Sequence, residues 1–169
     1  MPVTKEPRQD RAPAAHPIDA PAVYPFPTSR EGLMPWSRAA EQLIGARNYW
    51  LATVRPDGRP HVAPLWGAWM DDAFFFQGAP TSRWARNLAA NPAASVHLES
   101  GTDVVIVEGV VAYLTTDDDL AARLIEAWRE KYGRMEPKPA TDGLYRLLPH
   151  TARGWSEGLQ TAARWMFAS

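Results

Sequence analysis

The spacing of apolar residues predicts one helix and then a run of antiparallel strands in the first half of the chain. Apolar side chains recur at the spacing of one helix face at Trp36, Ala39, Ala40, Leu43 and Ile44. The segments NYWLATV, HVAPLWGAWM and AFFFQ have the apolar, β-branched and aromatic content of strands. Gly58 in RPDGRP suits a positive φ, and Asp71-Asp72 suits a second tight turn. These three strands are therefore expected to form a meander.

The second half predicts two more helices among further strands. A helix over residues 82–90 is expected to end at Asn91-Pro92, and a second helix is expected over residues 117–132. The apolar side of the first is predicted at Trp84, Ala85, Leu88 and Ala89, and its other side at Arg83, Arg86, Asn87 and Ala90. The strand segments are ASVHLES, DVVIVEGVVAYL, GLYRLLP, TARGWSEG and TAARWMF, with a bulge expected at Glu108-Gly109. This pattern predicts a mainly β (α+β) protein, an antiparallel barrel with about three helices.

Composition adds a domain boundary and excludes several classes of protein. Residues 1–28 are rich in proline and alanine without a period, which predicts a flexible N-terminal arm, and residues 29–169 are expected to form one domain. The net charge of -1 gives no support for a nucleic-acid or membrane partner. The absence of cysteine, of a signal core and of a long apolar run favours a cytoplasmic protein. The eight tryptophans indicate either an aromatic core or a stacking surface for a planar ligand or partner subunit.

Most familiar catalytic and metal motifs are missing. The chain has no GxGxxG, GxxxxGK[ST] or GxSxG pattern. Its four histidines lie far apart without metal-ligand spacing, so no metal site is expected. His97 is expected to be a packed residue, and His61 is more often structural than catalytic in such a position. The acidic run Asp117-Asp118-Asp119 is best explained as the start of a helix, where carboxylates oppose the macrodipole.

One short segment has the composition of an anion site. FFFQGAP leads into Thr81, Ser82 and Arg83, which would place hydroxyl groups and a guanidinium at the N-terminus of a helix, with Arg86 one turn later. Free N–H groups of the first turn favour phosphate there, and the planar fork of arginine matches it. Ordinary capping by Thr81 or Ser82 explains the same residues, and the local sequence alone favours capping because it is so common.

The order of several segments resembles a known family, the flavin- and deazaflavin-binding split β-barrel proteins typified by pyridoxamine 5'-phosphate oxidase. The segments are NYWLATVRPDGRPHVAPLWGAWMDDAFFFQG, TSRWARNLAANP, VVIVEGVVAYL and the aromatic-rich tail. The resemblance implies a split barrel and a homodimer with the cofactor bound between two subunits. It also implies that the Ser-Arg segment holds the cofactor phosphate and that the strand before it flanks the ring.

Carried over residue by residue, the resemblance gives a set of cofactor-binding residues and leaves the catalytic residues unassigned. The set is Pro64, Leu65, Trp66, Thr81, Ser82, Arg83, Arg86, Trp155 and Arg164. The chain departs from the pyridoxamine phosphate oxidase pattern at four positions, namely Val62, Gly67, Trp84 and Val104. These departures make vitamin B6 oxidation a poor fit and favour the branch that uses coenzyme F-420, whose long anionic tail Arg83 and Arg86 would serve, with Arg55 or Arg59 as further candidates.

The resulting functional hypothesis is hydride transfer between F-420 and a small planar organic acceptor, with Trp66, Trp69 and Trp155 shaping the acceptor pocket. Three alternatives stay open. The first is an FMN-dependent oxidoreductase of the same fold. The second is a non-catalytic flavin, deazaflavin or haem binder, with haem disfavoured because no histidine has a clear axial context. The third is a dimer without cofactor.

Overall fold

The computed structural model describes residues 12–115, 118–133, 137–138 and 142–168, which contain nine strands and three helices. The strands are β1 (Ala15–His16), β2 (Tyr49–Val54), β3 (Pro60–Leu65), β4 (Gly67–Met70), β5 (Ala73–Gln77), β6 (Ala93–His97), β7 (Asp103–Leu114), β8 (Leu144–Ser156) and β9 (Ala163–Met166). The helices are α1 (Trp36–Gly45), α2 (Arg83–Ala90) and α3 (Asp118–Tyr132), and a 3-10 turn spans Leu159–Thr161.

Antiparallel pairing joins all of these strands into one sheet. The main path runs in the order β1-β9-β8-β7-β6-β2-β3, and β4 branches off it through β5, which also pairs with β8. The first residues of β8 therefore hold β5 and β7 at once, while its last residues hold β7 and β9. The sheet curls around a single main core in consequence. This arrangement confirms the mainly β, split-barrel class expected from the sequence.

Alternation along the strands fills the barrel with large side chains. In β2 the buried residues are Tyr49, Leu51 and Thr53, and the intervening ones are more exposed. The largest fully buried side chains include Trp165, Tyr49, Phe74, Phe76 and Leu43. Two smaller clusters lie where α3 packs on β4, β5 and β8, and they contain Phe75, Leu124, Leu144, Ala68, Trp128 and Tyr132. Helix α3 therefore covers the β4–β5 hairpin from outside the main core.

The expected turns and the expected bulge are present. Gly58 has φ of 83°, and Asp71 and Asp72 have φ of 51° and 50°, as a two-residue hairpin turn requires. The pairing of β7 with β8 shifts register between Glu108 and Gly109. The additional residue lies on the partner strand, because Glu108 faces Thr151 and Gly109 faces Pro149, which leaves His150 without a register partner.

Two strand boundaries and the burial of two α2 residues differ from the sequence expectation. HVAPLWGAWM is two strands, β3 and β4, because the chain leaves the β2 pairing after Leu65 and joins β5 at Gly67. GLYRLLP and TARGWSEG form the single strand β8, since His150 between them is the additional residue of the bulge and does not end the strand. Asn87 is fully buried instead of lying on the polar side of α2, and its Nδ2 donates to Thr53 Oγ1 at 3.0 Å. Ala89 is exposed, although it was expected on the apolar side.

The described part of the proposed N-terminal arm lies along the barrel. Ala15 and His16 pair with Trp165 and Arg164, and the Phe26 ring meets Trp155 edge-on at 6.5 Å. Residues 1–11 lie outside the described part, so the mobility of the arm and the domain boundary at residue 28 stay predictions. Asp117, the expected first residue of the last helix, also lies outside it. Among the described residues, no helix has the length and apolar character needed to cross a membrane.

The bulge generates a stability prediction. A Cβ on Gly109 would lie 2.1 Å from the carbonyl oxygen of Leu148, which is backbone and cannot rotate away. Gly109→Ala should therefore lower the free energy of unfolding by about 1–3 kcal/mol, the usual cost of overpacking. Urea unfolding measures this change. Gly101→Ala is the matched control, because no heavy atom lies within 4 Å of its Cβ position. Equal stability of the two variants would contradict the prediction.

Candidate functional site

The N-terminus of α2 has the backbone geometry expected of an anion site. Ser82 is the N-cap, and its Oγ accepts a hydrogen bond from the Ala85 N–H at 3.3 Å. The Ser82 N–H is itself bonded to the Ala79 carbonyl at 2.9 Å, which closes the loop before the helix. The backbone N–H groups of Arg83 and Trp84 have no acceptor within the described ranges. Ser82 is therefore a capping residue, and two free donors remain for an anion.

The side chains around this N-terminus add positive charge that is not neutralised. Thr81, Arg83 and Arg86 are all exposed. No carboxylate of a described residue forms an ion pair with either arginine. Arg59, in contrast, pairs with Asp57 at 2.7 Å and is thereby held in the β2–β3 turn. Arg83 and Arg86 are thus not neutralised by a described carboxylate, and their binding of a phosphate stays a prediction.

The three predicted ring-flanking residues point to different surroundings. β3 pairs only with β2, so its other edge is open within the described structure. Pro64 is exposed on the outer side of this edge strand, whereas Leu65 is half-buried against the main core. Trp66 lies between β3 and β4 with 40% of its surface exposed, and one face of its ring stacks on Tyr132 at 4.6 Å and 9°. Pro64 and Trp66 are therefore accessible, and Leu65 has a packing role.

Tyr132, at the end of α3, holds the junction between β3 and β4. Its hydroxyl donates to the Arg47 carbonyl at 2.6 Å and accepts from the Gly67 N–H at 3.0 Å. Lys131 Nζ donates to Tyr49 Oη at 2.8 Å and to the Gly67 carbonyl at 3.3 Å. The last turn of α3 therefore fixes the backbone next to Trp66. The sequence did not predict this function of Tyr132, because Tyr132 and Gly67 are 65 positions apart in the chain and meet only through folding.

The two site residues in the tail lie on the outer face of the sheet. Arg164 of β9 faces Arg153 of β8, so it shares a face with Arg153 and with Trp155, two residues further along β8. Trp155 is half-buried under Phe26. Arg164 is also half-buried, and its buried Nε has no hydrogen-bond partner in the described structure. This orphaned donor fits a ligand or a partner chain on the outer face.

Predicted site residues lie on strands that are far apart along the sheet. Pro64 on β3 and Arg164 on β9 are separated by β2, β6, β7 and β8. Neighbouring strands lie about 4.8 Å apart, so five steps separate these residues by about 24 Å measured along the sheet. A single ligand ring therefore does not contact both residues on one subunit by following the sheet surface.

A cavity of about 440 Å³ lies beside α2 and was not predicted from the sequence. Its walls are mainly apolar, and two tyrosines stand among them: Pro80, Ala85, Leu88, Ala89, Val111, Tyr113 and Tyr145. Burial raises the pKa of the Tyr145 phenol, and the nearby Tyr113 raises it further. The cavity adjoins the loop before Ser82, so an anion held at the N-terminus of α2 would lie near it. Helical spacing predicted Leu88 as a core residue. It did not predict Tyr113, because this residue of β7 lines the cavity together with α2 only in the folded chain.

His61 and His97 have different surroundings in the structure. His61 Nδ1 is buried without a partner in the described ranges, and its residue faces the buried Thr53 of β2. His97 Nδ1 donates to the Leu98 carbonyl at 2.8 Å, which leaves Nε2 as the acceptor in the neutral ring.

Trp69, expected to shape an acceptor pocket with Trp66, is 6% exposed and packs on Trp36 in the main core. It therefore does not share the accessible position of Trp66. No group of three or more potential metal ligands occurs among the described residues.

Comparison with known proteins gives the family. A family model described as pyridoxamine 5'-phosphate oxidase matches residues 36–157, from the start of α1 to the end of β8. The chain belongs to this family. A sequence comparison with curated proteins finds no significant match.

Several solved structures have a similar fold. The conserved hypothetical protein Rv2991 from Mycobacterium tuberculosis is 24% identical with a TM-score of 0.64, over 74% of this chain and 86% of that one. A protein described as an F420 reductase is 27% identical with a TM-score of 0.52, over 66% of this chain and 94% of that one. HutZ, the heme storage protein from Vibrio cholerae, is 22% identical with a TM-score of 0.54, over 67% of this chain and 88% of that one.

Packing explains two of the four departures from the pyridoxamine phosphate oxidase pattern, those at Trp84 and Gly67. Trp84 replaces an expected basic residue, and it is 7% exposed and meets Tyr145 edge-on at 4.9 Å. A Cβ on Gly78 would lie 2.5 Å from the Trp84 ring, so glycine there is required by the tryptophan. Gly67 has no room for a side chain either, since its Cβ position is 2.3 Å from Phe74. A basic side chain at 84 would place its charge in the barrel core.

The environment of Lys131 predicts a pH dependence. Burial, and secondly the charge of Arg47, lower the pKa of Lys131 from 10.5 to about 8. Between these values the unfolded chain binds more protons at this residue than the folded chain does. The stability of the wild type relative to Lys131→Met should therefore increase from about pH 8 to about pH 10.5 and stay constant below that window. Urea unfolding of both proteins across this range tests the expectation, which a pH-independent difference would contradict.

Proposed function

We propose that the protein is an oxidoreductase that transfers hydride between coenzyme F-420 and a small planar organic acceptor. The observation that carries this proposal is the N-terminus of α2, where two free backbone N–H groups, the Thr81 hydroxyl and two unneutralised arginines lie within residues 81–86. The deazaflavin ring supplies the redox chemistry when the coenzyme is bound. The chain supplies phosphate binding, ring orientation and exclusion of water.

Different residues of the chain would bind the phosphate, the anionic tail and the ring of the coenzyme. Arg83 would hold the phosphate with Thr81 and the first-turn N–H groups, and Arg86 would extend the positive surface along the anionic tail. The open edge of β3 offers backbone groups to a planar ring, with Pro64 and Trp66 flanking it. Family membership supports a flavin-like cofactor, and the similarity to an F420 reductase supports the deazaflavin over FMN. The buried Trp84 adds to this preference, because it removes a basic contact of the FMN enzymes.

We further propose that the active species is a homodimer with a site between the subunits. About 24 Å of sheet separates Pro64 from Arg164 in one chain, so a two-fold partner is the simplest way to supply both. Exposed apolar side chains on the outer sheet surface, among them Val62 and Met166, favour such an interface. In this dimer Trp155 and Arg164 of one subunit complete the site formed by Arg83 and Pro64 of its partner.

The cofactor assignment is tested by titrating the protein with F-420 and with FMN while tryptophan fluorescence is recorded. F-420 should bind more tightly, and Arg83→Ala should weaken its binding by about 1.5–3 kcal/mol, or about 10- to 150-fold. Arg123→Ala is the matched control. It removes the same charge, but Arg123 pairs with Asp71 in the β4–β5 turn, whereas α2 follows the other end of β5.

Each alternative result of this titration has a defined meaning. Equal F-420 affinity of Arg83→Ala and Arg123→Ala would remove the phosphate-site assignment. Tighter binding of FMN would place the protein among FMN-dependent oxidoreductases. Haem binding is the second candidate function, because His97 Nδ1 bonds to the Leu98 carbonyl, which leaves Nε2 as the candidate axial ligand, and the fold is shared with HutZ. Haem binding would be favoured by a Soret absorption band that is present in the wild type and lost when His97 is replaced, with no response to F-420 or FMN.

The shared site is tested by complementation between two defective chains. Arg83→Ala and Arg164→Gln should each weaken F-420 binding at every site of their own homodimers. In a co-expressed mixture, random pairing makes about half of the dimers mixed, and one of the two sites in each of these keeps both arginines. About a quarter of all sites should then recover wild-type affinity. A mixture with no recovered sites would place both arginines in the same chain's site.

A further inference from the structure

A second cavity, remote from α2, lies between the C-terminal ends of α1 and α3. Its volume is about 370 Å³, within the range of small-molecule sites. Residues of α1, β4 and α3 line it together with Arg47: Ile44, Gly45, Arg47, Ala68, Trp69, Ala127, Glu130 and Lys131. None of the nine residues assigned to the cofactor is among them.

The inner end of this cavity carries a cation without an anionic partner. Lys131 is half-buried, and its ammonium contacts the Tyr49 hydroxyl, the Gly67 carbonyl and the faces of Tyr49 and Tyr132, with ring centroids at 5.1 and 6.0 Å. All of these partners are neutral. An ammonium has three N–H donors, and two of them are used by Tyr49 and Gly67. One donor and one uncompensated charge therefore remain.

A second cation reinforces the first. The Arg47 guanidinium lies 5.6 Å from the centre of the Tyr132 ring, and no described carboxylate pairs with it or with Lys131. Repulsion between the two charges is the second cause, after burial, of the lowered pKa of Lys131. A bound anion would relieve this repulsion. Glu130 is the one carboxylate in the lining, so the lining has two positive charges and one negative charge and suits a monoanion better than a dianion.

The remaining walls are apolar. Trp69 and Ala68 are buried and form the β4 side, while Ile44 and Ala127 contribute aliphatic surface from the two helices. A hydrated inorganic ion would leave these walls without a partner, whereas an organic acid would cover them. We propose that this cavity binds a small monocarboxylate with an apolar or aromatic body, its carboxylate against Lys131 and Arg47 and its body against Trp69.

Benzoate and its neutral isostere benzamide test this proposal by isothermal titration of the full-length protein. Benzoate should bind about tenfold more tightly than benzamide, because only benzoate carries a negative charge to pair with Lys131 and Arg47. Lys131→Met keeps the aliphatic volume and removes the charge, so it should abolish this preference. Arg47→Ala, at an exposed residue, should reduce it. Thermal unfolding of Lys131→Met shows whether the fold is retained, and Arg47→Ala gives the answer if it is not.

Two further variants separate this site from other cation sites. Arg129→Ala removes a charge from the same helix, but its guanidinium pairs with Glu126, so benzoate affinity should not change. Arg83→Ala should also leave it unchanged, whatever that variant does to F-420 binding. The proposal is overturned if benzoate and benzamide bind equally, if neither binds at millimolar concentration, or if Arg129→Ala or Arg83→Ala reduces benzoate affinity as much as Arg47→Ala.

Discussion

The pairing of β7 with β8 is the constraint on which the rest of the molecule depends. Over 13 residues β8 holds β5 and β7 at its start and β7 and β9 at its end, so one strand belongs to both halves of the curled sheet. A strand bends this far only where its ladder is interrupted. The bulge provides the interruption, with Pro149 lacking an N–H and Gly109 lacking a Cβ where the two backbones approach most closely.

The bend has consequences for the candidate site. It places β9 next to one end of the main path and β3 at the other end, so the tail residues and the edge-strand residues are separated along the sheet of one chain. It also leaves the outer side of the β4–β5 hairpin open to α3, whose last turn fixes the Trp66–Gly67 backbone through Tyr132. The proposed ring-binding strand is thus held from behind by a helix, while its front edge stays unpaired.

Positive charge is concentrated in two places that the fold keeps apart. At α2, exposed arginines flank free backbone donors, and water screens them until an anion arrives. At α3, Lys131 is half-buried among neutral groups, and its pKa is lowered in consequence. The first arrangement suits the long anionic tail of a cofactor. The second suits one carboxylate with apolar surface, because burial makes the charge costly without a partner.

The sequence by itself determined the elements whose signals are local. Apolar periodicity gave α1, turn chemistry gave Gly58 and Asp71-Asp72, and the Glu108-Gly109 pair marked the bulge. Ser82 and Arg83 were identifiable because a cap and a following arginine lie in one segment. Tertiary structure alone decided the break at Trp66, the burial of Asn87 and the contacts of Tyr132 and Lys131 with Gly67, because each depends on residues far away in the chain. Local propensity carries no information about such partners, and the packing of the closed sheet supplies it.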